Sequence, residues 1–293
     1  MGTGLGHDGR MSKPNEKMVA YWDEQAGPRW VQLQESLDAS IAGIGKAAMD
    51  LGAAAPAESV LDVGCGCGAT VLELSRRVGP EGRVHGLDVS GPMLARARER
   101  LAEAGQDHAS FELGDAQVQP FDASFDLVFS RFGVMFFEDV EAAFANLLSA
   151  ARPGGRLAFA CWREREANPW MWTSMQAAAQ HLEMPDLPDD PHAPGPFGLH
   201  DGERLARLLA AAGWRDVTLS DLDLDLLLAG GRPLDETVEQ FVLRLIAKEP
   251  SERPSSMAQV IYQLRTLSEM LGFAEPRRGI VRPEKPRDRT AIS

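Results

Sequence analysis

Residues 59–73 read SVLDVGCGCGATVLE, and this stretch decides the fold. An apolar run (Val60, Leu61, Val63) leads into glycines at alternate positions (Gly64, Gly66, Gly68), followed by residues that open a helix. A short buried strand feeding a glycine-rich turn and a helix N-terminus is the start of a βαβ unit. Glycines at that junction let the backbone turn sharply and approach a ligand where a Cβ would clash. Asp62 stands just before the turn, at the carboxyl end of the strand, where open α/β sheets bind ligands. The pattern predicts a nucleotide-like cofactor held around Asp62, Gly64, Cys65 and Gly66.

Two cofactors compete for this site. The dinucleotide fingerprint G-x-G-x-x-G/A is met in loose form by Gly64, Gly66 and Ala69, with Asp88 about 20 residues beyond for a ribose. That reading makes the chain a nicotinamide-dependent oxidoreductase. An acidic residue ahead of the glycines, however, would repel a diphosphate and suits an amine. S-adenosylmethionine has no phosphate and carries a sulfonium and an amino-acid tail, so it fits better.

Four further blocks sit in order along the chain: GLDVS (86–90), GDAQ (114–117), FDLVFSRFGVMFF (125–137) and RPGGRLAFACW (152–162). Together with LDVGCGCG (61–68), they resemble the class I S-adenosylmethionine-dependent methyltransferases that act on small molecules, over roughly residues 18–240. The resemblance implies an α/β fold, a Rossmann-like doubly wound and mostly parallel sheet with N-terminal helices and an acceptor cap inserted at 163–200. It implies an enzyme that moves a methyl group to an O, N or C nucleophile. It also implies roles: Asp88 and Val89 at the ribose, Met93 against the adenine, and Asp115 accepting from the adenine amino group. Gly114, Ala116 and Gln117 would frame the ring, while Tyr21 and Trp30, beside Trp22, would line a lid. A scaffold protein that binds the cofactor without turnover is a further rival.

Catalytic residues are harder to read. The fourth strand exits through Ser130-Arg131-Phe132-Gly133, not the Asn/Asp-Pro-Pro-aromatic motif of enzymes that methylate base amino groups. Ser130 and Arg131 are expected to face the methyl group, with an ion-pairing scaffold role an equal reading for Arg131. His200 is a candidate general base because an imidazole titrates near pH ~6.5. The alternative is a loop histidine with no chemistry. No persuasive ligand set for a metal is visible.

Composition sets outer limits. A formal charge of −13 over 293 residues argues against a nucleic-acid partner. Three cysteines (Cys65, Cys67, Cys161) fit a reducing compartment. MGTGLGHDGR lacks the apolar core of a signal peptide, and no apolar run reaches membrane-spanning length, so a cytoplasmic protein with no membrane partner is expected. Residues 1–13 read as a mobile tail, 14–240 as the main domain, 241–274 as C-terminal helices and 275–293 as a disordered tail.

Helical spacing places Trp30, Leu33, Leu37, Ile41, Ile44, Ala48 and Leu51 on one buried stripe. Residues 109–113 alternate and so belong to an edge strand, whereas VLDV and DLVFS belong in the centre. Residues 216–228 alternate with a phase change, which predicts a bulge or break near Ser220–Asp221. The segment around 243–267 resembles the last helix pair of bacterial serine/threonine protein kinases, but no kinase Gly-rich loop, HRD or DFG element occurs. Its amphipathic helix from Met257 to Leu271 packs on the domain or mediates a contact, a homodimer included.

Overall fold

The computed structural model describes residues 14–169, 190–228 and 232–233. Short helix α1 (Glu16–Ala20) runs into a π-helical turn (Tyr21–Ala26), then α2 (Gly27–Gln32) and the long α3 (Gln34–Gly52). The sheet follows in chain order: β1 (Ser59–Val63), α4 (Ala69–Val78), β2 (Arg83–Asp88), α5 (Gly91–Ala104), β3 (Ala109–Leu113) and β4 (Phe125–Arg131). It is completed by α6 (Val140–Ala150), β5 (Ala151–Ala160) and α7 (Gly202–Ala211). Strand order is β3-β2-β1-β4-β5 and every pairing in this sheet is parallel.

Continuous apolar strands need cover on both faces, and they receive it. Alternate residues of β1 and β4 point to opposite layers. Leu61, Val63 and Val128 join Phe144 and Leu147 of α6 and Leu205 and Leu209 of α7 in one core. Val60, Leu127 and Phe129 join Ala48 of α3, Val71 and Leu74 of α4 and Leu94 of α5 in the other. The result is the doubly wound α/β sandwich expected, with β1 and β4 central and β3 at an edge. Its strand tips all open on one side.

Several expectations are corrected. The helical stripe breaks at Leu33, and Leu51 is 65% exposed. Gly52 takes the inward position instead, because α3 ends so close to the sheet that a Cβ there would lie 3.0 Å from Ala158 and 3.4 Å from Leu127. The fifth strand, which the apolar run places at 156–162, spans Ala151–Ala160 instead, with a register shift opposite Phe125 and Leu127. Leu113, expected on the half-buried face of β3, is exposed. Residues 217–226 form no strand, and Leu219, Leu222 and Leu224 are exposed. Only Leu227–Leu228 pairs, with Arg232–Pro233. The readings for 1–13, the core of the 163–200 insertion, 241–274 and 275–293 lie outside the described residues.

Candidate functional site

Three carboxylates stand at the tips of neighbouring strands. Asp62, next to last in β1, is fully buried; its Oδ2 accepts from the Thr70 hydroxyl at 2.5 Å, and its Oδ1 has no donor. Burial pushes its pKa up to about 7, against the Thr70 hydrogen bond and the nearby Arg131 charge, which pull it down. Asp88 ends β2 and accepts from the backbone N–H of Gly66 at 2.7 Å and of Ser90 at 2.9 Å. Burial raises its pKa too, with those backbone bonds opposing. It does not cap α5; the Ser90 hydroxyl does. Asp115, two residues beyond β3, accepts from Gln117 N–H at 3.0 Å through Oδ1, and its Oδ2 is buried without a donor.

Bare backbone joins them. Gly64 has φ +68° and its N–H donates to Leu87 O at 2.8 Å, which fastens the turn to β2. A Cβ on Gly66 would lie 2.9 Å from the Met93 Cε, so Met93 closes over the turn from the start of α5. The Cys65 N–H also bonds Leu87 O, at 3.2 Å. Burial pushes the Cys67 thiol up to about 12 and the Cys65 thiol well above its ordinary value, so neither supplies a thiolate. Gly114 donates to Asp88 O, Gln117 Oε1 accepts from Asp139 N–H, and Asn146 Nδ2 holds Ala116 O at 2.9 Å. The segment after β3 is therefore braced from α6. Val89, half-buried, links Asp88 to Ser90.

This strand–turn–helix with its tip carboxylates has a counterpart among known proteins. Residues 60–155 match the family model of a methyltransferase domain. Aklanonic acid methyltransferase DauC of Streptomyces sp. (strain C5) is 37% identical over 117 residues, 40% of this chain and 53% of that protein. Nocamycin O-methyltransferase of Saccharothrix syringae is 38% identical over 110 residues, 37% of this chain and 39% of that one. The matched stretch thus spans about half or less of these relatives' length. Phosphoethanolamine N-methyltransferase 2 of Haemonchus contortus, solved with S-adenosyl-L-methionine, gives a TM-score of 0.51 at 19% identity, over 78% of this chain and 48% of that one. That likeness is one of fold.

Around the methyltransferase-like segment, the N-terminal helices close the open side of the sheet. Trp22 meets Tyr21, Trp30 and Phe136 edge-on at 5.7, 5.9 and 5.0 Å between ring centroids. Asp23 Oδ1 accepts from Gly91 N–H at 2.8 Å, and Asn15 N–H donates to Glu138 Oε2 at 2.7 Å. The π-helical turn lets Trp22 and Asp23 reach β4's exit and α5's start at once, and such turns recur at functional sites. Tyr21 is held neutral more firmly than usual, because burial outweighs the Arg29 charge. Tyr21 and Trp30 thus belong to the clamp that Trp22 centres.

At the β4 exit both candidate residues make contacts within the scaffold. Ser130 is buried, with its hydroxyl donating to Val63 O at 2.8 Å and accepting from Gly133 N–H at 3.1 Å, so it stitches the tips of β1 and β4 together. Arg131 pairs with Asp38 of α3 at 3.2 Å, and Asp38 also pairs with Arg100 at 3.0 Å. The Arg131–Asp38 pair ties the β4 exit to α3. Thr70, Asp38, Asn15, Asp23 and Glu138 escaped the sequence reading. Only Thr70, two residues past the glycine turn, carries a local signal.

Beyond β4 and β5 lies an aromatic wall. Phe132, in the left-handed region at φ +65°, stacks on Trp162 with centroids 4.3 Å apart. Residues 195–198 pack on Met135 through Gly195 N–H to Met135 O at 3.1 Å. There His200 stacks on His192 at 5.1 Å, and its Nδ1 lies 2.7 Å from Phe197 O. A carbonyl can only accept, so Nδ1 bears a hydrogen and the neutral ring presents its acceptor at Nε2. Asp201 caps α7 through Arg204 N–H at 2.9 Å. Among the described residues no helix is long and apolar enough to cross a membrane, and no cluster of three or more His, Cys, Asp or Glu forms a metal site.

Proposed function

We propose that this protein transfers a methyl group from S-adenosylmethionine to an O, N or C nucleophile of a small apolar or aromatic molecule. The carrying observation is the row of carboxylates at the tips of β1, β2 and β3, where Asp62 Oδ1 and Asp115 Oδ2 are buried acceptors without donors. That row suits a ligand with an amine at either end and no phosphate. Asp62 faces the ammonium, Asp88 accepts from the ribose hydroxyls with its remaining lone pairs, and Asp115 accepts from the adenine amino group. When bound, the cofactor supplies a methyl already activated by a sulfonium. The chain's own task is then to align the acceptor and exclude water, an effect worth on the order of 7–11 kcal/mol in favourable intramolecular cases.

The acceptor reading draws support from the Phe132–Trp162 and Trp22–Phe136 pairs and from the named acceptors of the two relatives above, both small molecules. His200, its ring anchored through Nδ1 on Phe197 O, is the candidate base for an acceptor that must lose a proton. The test is calorimetry with S-adenosylhomocysteine and NAD, followed by incubation with labelled S-adenosylmethionine and a metabolite extract. Binding of the first ligand alone, with label in a small product, is expected. Binding of NAD alone would move the chain to the oxidoreductases, and binding without transfer would leave a scaffold.

Asp88→Ala is expected to weaken S-adenosylhomocysteine binding by about 1–3 kcal/mol, since hydrogen bonds to a charged acceptor are lost. Unchanged affinity would remove the ribose role.

A further inference from the structure

Asn15 is an unusual residue to find buried at the start of a helix. It is 5% exposed, sits in the left-handed region at φ 61°, and has no side-chain capping bond. Its backbone N–H is used by Glu138 at 2.7 Å. Its Nδ2 donates to Asp115 Oδ1 at 3.3 Å, an oxygen that also accepts from Gln117 N–H. The amide orientation is dictated: reversing it would set an amide oxygen against a carboxylate oxygen. What remains is a pair of buried acceptors in neighbouring, hydrogen-bonded groups, Asn15 Oδ1 and Asp115 Oδ2, and neither has a donor. Leaving such atoms bare is costly, so the pair is built for something with hydrogens to give.

We propose that Asn15 Oδ1 and Asp115 Oδ2 together receive the two hydrogens of one exocyclic amine, that of the cofactor's adenine ring. This rests on the reading of the site as a seat for S-adenosylmethionine. A primary aromatic amine has two N–H bonds on one atom, which matches two acceptors held side by side. A 6-oxo purine would instead set a third acceptor against them. Asn15 is thereby a specificity-determining residue, and the N-terminal segment reads the base as well as closing over it.

The test titrates S-adenosylhomocysteine and its 6-oxo analogue, S-inosylhomocysteine, into the full chain by calorimetry. The wild type is expected to prefer the amino ligand by at least about tenfold. Asn15→Gly keeps the left-handed backbone without strain and deletes only the amide. It should lose roughly fivefold in affinity for the amino ligand, one hydrogen bond's worth, while the oxo ligand, relieved of one opposing acceptor, binds no more weakly than before. Asp115→Asn, which puts a donor where Oδ2 stood, should shift preference toward the oxo ligand even if the glycine variant folds poorly. Equal weakening of both ligands by Asn15→Gly would show a mere clamp and overturn the assignment, as would a wild type that binds both alike. A wild type that binds neither ligand would instead overturn the cofactor reading beneath it.

Discussion

Asp62→Asn is expected to stabilise the ligand-free protein at pH 8 while weakening S-adenosylhomocysteine binding ten- to a hundredfold. The two effects have one origin. Asp62 is fully buried with one oxygen unpartnered, and burial carries its pKa up to about 7. An unfolded aspartate titrates near ~3.9. Between those values the folded state keeps a proton that the unfolded state has released. Stability therefore falls as pH rises through this window and levels off above about 7. Asparagine has no such titration. The variant should match the wild type near pH 5 and exceed it at pH 8 by on the order of 1–3 kcal/mol, a Tm gain of several degrees.

Binding moves the other way. An ammonium placed beside Asp62 favours the ionised carboxylate, so the wild type should bind more weakly as pH falls below 7, after subtraction of the ligand's own titration. Asparagine removes both the charge and that pH dependence, and charge-assisted bonds are the strong ones. Melting curves and calorimetry at pH 5, 6, 7 and 8 read all of this. A variant less stable than the wild type at pH 8, or a wild-type affinity flat from pH 6 to 8, would show that Asp62 is structural.

The strands were legible because their chemistry is local. VLDV and DLVFS are apolar without interruption, and a strand buried on both faces has no other way to be written. The same habit of reading misled where the contact partner is not in the pattern. Residues 221–226 alternate Asp with Leu, which looks like a strand with a leucine face inward. Yet no strand forms there: Arg163 pairs with Asp221 at 3.0 Å and Asp223 at 2.8 Å, and Leu222 and Leu224 stay exposed. Gly52 carries no hydrophobic signal, so the pattern alone points to Leu51 as the end of the α3 stripe.

The site divides on the same line. Asp62, Asp88, Asp115 and the glycines announce themselves because a turn beside a strand tip constrains residue type. Asn15, Asp23 and Asp38 act across 100, 68 and 93 residues of chain, on Asp115, Gly91 and Arg131. In the sequence each has polar neighbours and no pattern that marks it out, and only the fold brings it to the site. Ser130 and Arg131 show the reverse. Both stand where the sequence pointed, and the Ser130 hydroxyl and one Arg131 amino group hold strand tips and helix together.

Gly64→Ala is expected to cost about 3–5 kcal/mol and lower the Tm by roughly ten degrees, by adding a single methyl group. Part of that is backbone strain. Gly64 has φ +68°, and a residue with a Cβ in the left-handed region loses about 1–2 kcal/mol. The larger part comes from the close approach of two chain segments. A Cβ on Gly64 would lie 2.6 Å from Gly133 Cα, and a Cβ on Gly133 would lie 2.6 Å from Val63 O. Here the β1 tip and the β4 exit touch backbone to backbone, and no flexible side chain can give way. Gly105 separates the two contributions: it too is left-handed, at φ 62° and ψ 36°, but nothing lies within 4 Å of the added methyl. Gly105→Ala should therefore carry the strain alone. The difference between the two variants, read by denaturant melts, is the energy of the backbone contact that shapes the cofactor turn. If Gly64→Ala costs no more than Gly105→Ala, then β1 and β4 do not meet as described, and the cradle around Asp62 loses its wall.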